Sequence, residues 1–213
     1  MKTRYRKQIP QKGQPTTGRG GFTLVETMIA MALGIVLLGT LYGILSFQDH
    51  SFHVQEENTD MIHNARSAMD LLFREIRMAG YHFNPLLKAA AGIIAADAQA
   101  IVFTQDLNGD GDTTGAGESI TFALQTEGGI QKLMRTSGGA SSPIAVYVEA
   151  LAFRYWNDAG NELASPVASP DQIRKIGITL TTRSIHPDPG YPQNGGYRLY
   201  ALTSQVFPRN TSP

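Results

Sequence analysis

A run of 26 residues, Phe22 to Phe47 (FTLVETMIAMALGIVLLGTLYGILSF), carries a single charge, Glu26. As a helix rising about 1.5 Å per residue it is roughly 39 Å long, more than a hydrocarbon core of about 30 Å requires. The run is therefore predicted to be a spanning helix, and the carboxylate four residues into it needs an explanation.

The flanks orient that helix. Residues 1–21 contain Lys2, Arg4, Arg6, Lys7, Lys12 and Arg19 and no acidic residue. Bases before the run and none just after Phe47 place the N-terminus in the cytoplasm and the bulk of the chain across the membrane. Without those six bases the chain holds twelve bases against eighteen acids, a net of −6, which argues against nucleic acid as a partner. A secretory signal peptide has a shorter apolar region, of about 7 to 15 residues, closed by a small-residue cleavage site. Here the junction from polar to apolar falls at Gly20-Gly21-Phe22, ahead of the apolar run, so processing at that point leaves the run attached.

A basic leader ending in Gly21, then FTLVE and a long apolar helix, resembles the type IV prepilin signal shared by type IV pilins and the pseudopilins of type II secretion. The resemblance implies cleavage between Gly21 and Phe22 by a membrane-embedded prepilin peptidase and methylation of the new Phe22 amine. It also implies that Thr23, Leu24 and Glu26 serve assembly.

Glu26 has a physical reading beside that one. An ionised carboxylate in lipid costs about 2.5 to 3.5 kcal/mol, so it needs a partner or stays neutral. Cleavage creates a positive amine at Phe22. Phe22 and Glu26 are four residues apart, close enough for a pair within one helix, and between staggered helices Glu26 can instead meet the Phe22 amine of a neighbour. The family favours the second arrangement, as a register device. Gly39 and Gly43 form a G-x-x-x-G pair that permits close helix approach, Gly34 adds a weak point in the backbone, and glycines are in any case common in membrane helices.

Beyond Phe47 no Gly or Pro interrupts the chain until Gly80, and Ile62, Ala65, Met69, Leu72, Ile76 and Ala79 step by three and four. That period predicts one apolar stripe on a helix running from about Phe22 to Ala79, its second half packed on a sheet. Arg66, Asp70 and Arg74 lie on another face, at spacings suited to weak pairing. His50 and His53 share a helix face at the spacing of a metal pair, but two solvated histidines near the membrane surface explain them better.

From residue 93 the period turns toward two. AIVFT (100–104), ESITFAL (118–124), KLMRT (132–136), AVYVEALAFRYW (145–156), IRKIGITLTTRS (173–184) and YRLYALTSQVF (197–207) read as strands bounded by Gly, Asn, Asp or Pro. The predicted class is α+β: a long N-terminal helix, transmembrane in its first half, packed on a C-terminal antiparallel sheet. The expected divisions are a cleaved leader at 1–21, a transmembrane and assembly helix at 22–47, its periplasmic continuation at 48–80, and a periplasmic β-rich domain at 81–213.

LLFREIRMAGY, VEALAFRYWNDAGNEL, IGITLTTRS and VFPRN, in that order, resemble the PilW group of minor pilins, whose secretion-system relative is the GspJ-type pseudopilin. The chain has no cysteine, so it departs from the many major pilins that carry a C-terminal disulfide, which suits a minor subunit. The resemblance implies a part in pilus assembly and priming. Its implied partners are the peptidase, other minor and major pilins, the inner-membrane assembly platform and the bilayer, with the filament or its tip as the final location.

DLNGDGDTTGAGE, residues 106–118, is the most chemically pointed segment outside the membrane run. Asp106, Asn108, Asp110 and Asp112 alternate with glycines, offering hard oxygen ligands on a backbone able to turn, as Ca²⁺ requires. The segment opens like an EF-hand loop, but its twelfth position is Gly117, with Glu118 one place late. A calcium loop between strands and a polar Asx/Gly hairpin loop both remain open at this level. No G-x-S-x-G, H-E-x-x-H, P-loop or dinucleotide fingerprint is present, and no enzymatic activity is expected; an anchored periplasmic enzyme is the remote alternative.

Overall fold

In the computed structural model, which describes residues 20–84 and 92–210, one helix dominates the N-terminal part: α1, Leu24–Arg77, 54 residues long. The basic leader residues through Arg19 lie outside the described residues. The chain divides into two compact units, one through His50 and one from Ser51 onward.

In the first unit α1 is long and apolar enough to cross a membrane, and its apolar side chains are exposed. A methyl group added at Gly34, Gly39 or Gly43 would meet nothing within 4 Å, so packing within the chain does not require glycine at these positions.

In the second unit α1 buries Met61, Ala65, Ala68, Met69, Leu72 and Ile76. The predicted stripe is observed, except that Met61 rather than Ile62 turns fully inward at its start. The helix begins and ends two residues inside its predicted limits. At its C-terminal end Gly80, at φ +78, turns the chain and donates to the Thr104 carbonyl at 2.9 Å. A Cβ at Gly80 would lie 2.6 Å from the Asn210 carbonyl oxygen, so a side chain is excluded there.

The strands form two antiparallel sheets rather than the single sheet expected. The first orders β1 (Ile93–Ala96), β2 (Ala100–Thr104), β3 (Ser119–Glu127), β4 (Ile130–Ser137) and β5 (Ala140–Ala145) consecutively. The second contains β6 (Val148–Trp156), β7 (Glu162–Leu163), β8 (Lys175–Arg183) and β9 (Leu199–Val206), in the order β7-β6-β8-β9. Two hairpins of the first sheet turn on Gly128-Gly129 and Gly138-Gly139, all four at positive φ, as two-residue turns matched to strand twist demand.

The segment 145–156, predicted as one strand, is split at Val146-Tyr147, where the chain passes from one sheet to the other. Tyr147 adopts φ 53, unusual for a bulky residue. Asn64 of α1 holds the break: its amide donates to the Val146 carbonyl at 2.6 Å and its oxygen accepts the Val146 N–H at 3.3 Å. The side chain thus satisfies backbone groups that have just left the ladder.

Alternate residues of both sheets meet the helix in one core that includes Ile101, Phe103, Ile120, Phe122, Leu133, Leu151, Phe153, Tyr155, Ile176, Ile178 and Leu180. The Tyr155 ring is fully buried and its hydroxyl donates to the Asp97 carbonyl at 2.7 Å, tying the two sheets together. Burial, and then the negative charge of Asp97, push its pKa upward. The first sheet is also tied to the helix by Arg135, whose Nε donates to Glu75 Oε1 at 2.9 Å and Oε2 at 2.8 Å in a partly buried pair.

Candidate functional site

The start of α1 has the geometry of a capping box. The Glu26 N–H donates to Thr23 Oγ1 at 3.2 Å, and the Thr23 N–H donates back to Glu26 Oε2 at 3.4 Å. Thr23 is the residue just before the helix, and its carbonyl accepts the Thr27 N–H at 3.1 Å. T-L-V-E is therefore a reciprocal cap in the S/T-x-x-E pattern, satisfying two N–H groups that would otherwise lack intrahelical partners. The T-x-x-E spacing is visible in the sequence, and the cap gives Thr23 a physical role beside the assembly role that the resemblance implies.

Because Thr23 caps the helix, residues 20–23 are not helical. Gly20 and Gly21 are exposed and Phe22 is 85% exposed. A Cβ at Gly21 would meet nothing within 4 Å, and its φ lies outside the range that favours glycine. The fold of this chain has no need of glycine at 21, so a requirement for it comes from whatever acts on the segment. Leu24 is the first residue of the helix and is exposed. With the leader attached, the Phe22 nitrogen is a peptide amide. Glu26 turns to Thr23, three residues back, instead of to Phe22, four back.

The segment 106–118 is organised around its own carboxylates. Asp106 is fully buried and accepts N–H bonds from Gly109 at 2.6 Å and Gly111 at 3.3 Å. Glu118, also buried, accepts from Leu107 at 3.0 Å and Asn108 at 3.3 Å on Oε1 and from Gly115 at 2.8 Å on Oε2. Asn108 donates to Asp110 Oδ2 at 2.7 Å and accepts the Asp110 N–H at 2.8 Å; Asp110 and Asp112 accept the N–H groups of Asp112 and Thr114. These are successive Asx turns. All four oxygens of the two buried carboxylates are engaged by backbone amides, and among the described residues no three His, Asp or Glu side chains form a group suited to a metal. Backbone amides thus order the loop, and the Asp106 oxygens, each accepting one N–H, keep a further lone pair. His53 lies 3.9 Å from Glu56 along the helix, consistent with a solvated surface histidine.

A groove of about 150 Å³ in the second unit is lined by Glu57, Asp60, Met61, Asn64, Val146, Tyr147, Arg183 and Ile185.

The N-terminal geometry agrees with a comparison to known families. Residues 17–42 match the prokaryotic N-terminal methylation motif. The N-terminus is of the prepilin type. This supports a type IV pilin or pseudopilin, processed by prepilin peptidase, assembled with other pilins and anchored by its apolar helix. It points to a structural protein rather than an enzyme. No curated protein matches the chain.

Proposed function

We propose that this chain is a minor pilin of the PilW type, made as a precursor and taking part in type IV pilus assembly. Prepilin peptidase cuts between Gly21 and Phe22, and Phe22 becomes the methylated N-terminus. The helix from Phe22 holds the protein in the inner membrane, its N-terminus cytoplasmic and residues from about 48 onward periplasmic, until the subunit enters the filament or its tip. After cleavage Glu26 gains a cationic partner in a Phe22 amine, with Thr23 still fixing the start of the helix.

The observation that carries this reading is the glycine at 21: an exposed, non-helical residue with no packing reason to be glycine, three residues ahead of the first residue of a capped apolar helix. Gly34, Gly39 and Gly43 argue similarly, since any need for small residues there arises from neighbouring helices. For the pilus, support comes from the PilW-like segments: they supply the end of α1, all of β6, β7 and most of β8, and the end of β9, so they build most of one sheet.

Deletion of the gene tests the reading. Loss of surface pili and twitching with normal protein export is expected. Loss of export with pili intact would move the chain to the GspJ-like pseudopilins.

A further inference from the structure

The chain contains two Asn-Gly pairs outside the membrane run, Asn108-Gly109 and Asn194-Gly195. Asparagine followed by glycine is the pairing most prone to intramolecular imide formation, because glycine presents no side chain to hinder attack by its own nitrogen. The two sites are alike in sequence and opposite in structure.

At Asn108 both reacting groups are held. The side-chain amide donates to Asp110 Oδ2 at 2.7 Å and accepts the Asp110 N–H at 2.8 Å. The Gly109 nitrogen, which would attack, donates to the buried Asp106 carboxylate at 2.6 Å. Attack requires the Asn108 side chain to leave two bonds and the Gly109 N–H to leave a charge-assisted one.

At Asn194 the side chain is exposed and has no hydrogen bond among the described residues. It lies between β8 and β9 in a turn where Asn194, Gly195 and Gly196 all have positive φ. A Cβ built at Gly195 would meet nothing within 4 Å, so no neighbouring group crowds that side of the turn. The Asn194 carbonyl makes only a long contact, accepting the Tyr197 N–H at 3.3 Å.

We propose that Asn194 is a site of spontaneous modification, passing through a succinimide to aspartate and isoaspartate, and that Asn108 is protected by its loop. The Gly195 nitrogen loses its proton to base and bonds to Asn194 Cγ, and the side-chain nitrogen leaves as ammonia. Water then opens one of the two imide C–N bonds, giving aspartate or isoaspartate, with no oxidant or reductant involved. The product adds a negative charge to the β8–β9 connection, and in the isoaspartate form an extra backbone carbon. That connection is anchored to α1 by His186, whose Nδ1 lies 2.7 Å from Glu57 Oε1.

The test uses the full chain in detergent micelles, aged in mildly alkaline buffer and digested with trypsin. Asn194 falls in the peptide 184–198 and Asn108 in the peptide 89–132, each the only asparagine of its peptide. Mass spectrometry should show conversion at Asn194 about tenfold or more faster than at Asn108 in the folded chain, with the two rates converging in denaturant. The Asn194→Gln variant, whose ring closure would be six-membered and slow, should lose the signal from its peptide. Equal rates in the folded chain, faster conversion at Asn108, or a signal that survives Asn194→Gln would overturn the proposal.

Discussion

Two stretches of one helix behave as different materials. Before His50 the leucines of α1 stand in the open, Leu38 being 67% exposed; after Ser51 Leu72 is 0% exposed. Backbone geometry is shared, so the difference lies in what each stretch has to bury itself against. The second has two sheets within its own chain, whereas the first is complete only with lipid or other helices. Hydrophobicity alone therefore does not distinguish a core from an interface; the period does. The first stretch is apolar all round and the second along one stripe.

The contrast can be broken most forcefully by paired truncations. Leu72→Ala should destabilise the second unit by about 3 kcal/mol. Leu38→Ala should leave that stability unchanged and act on assembly. Trp156, the only tryptophan, lies in the second unit, so its fluorescence during urea unfolding reports on that unit alone. A loss of similar size from Leu38→Ala would show that the two stretches are not separate in kind.

A smaller effect is expected at the clamp between α1 and the first sheet. Arg135→Met leaves the partly buried Glu75 carboxylate without its partner and should cost about 2 kcal/mol in the same measurement. Tyr155→Phe should cost about 1 kcal/mol by removing the hydroxyl that bonds to Asp97. Its pH dependence has a definite sign. The folded-state pKa of Tyr155 is raised above the ordinary 10.0, so the folded state keeps a proton that the unfolded state releases. Stability from this group is complete below pH 10.0 and falls as the pH rises above it, and that part of the alkaline loss should be absent in Tyr155→Phe. The smallest effect belongs to calcium. Because Asp106 and Glu118 already serve backbone amides, millimolar Ca²⁺ should leave the Tm unchanged; a clear upward shift would show that the 106–118 loop rearranges around an ion.

The sequence conveyed these features unequally, for physical reasons. The stripe through Ala65, Leu72 and Ile76 was legible because helical period and burial coincide there. The break at Val146-Tyr147 was not, since AVYVEALAFRYW is uniformly β-favouring and the interruption is imposed by Asn64, 82 positions away in sequence. β5, with the sequence ASSPIA, is not among the expected strands, yet despite Pro143 it pairs with β4 at the edge of its sheet, where a missing donor is tolerated. In DLNGDGD the spacing of oxygens was visible, but not that Asp106 would be buried and turned to the Gly109 and Gly111 amides. At the N-terminus Gly21, Phe22 and Glu26 stood out, while Thr23 gained a role only when its hydroxyl was seen against the Glu26 N–H.

The central claim is that the bond after Gly21 is the one cut. Its most direct test is the intact mass of the full chain produced together with prepilin peptidase. The account predicts a mature protein beginning at Phe22 and carrying one added methyl group, and a Gly21→Glu variant that keeps residues 1–21. A native chain that retains its leader, or a Gly21→Glu variant shortened to the same product, would contradict it.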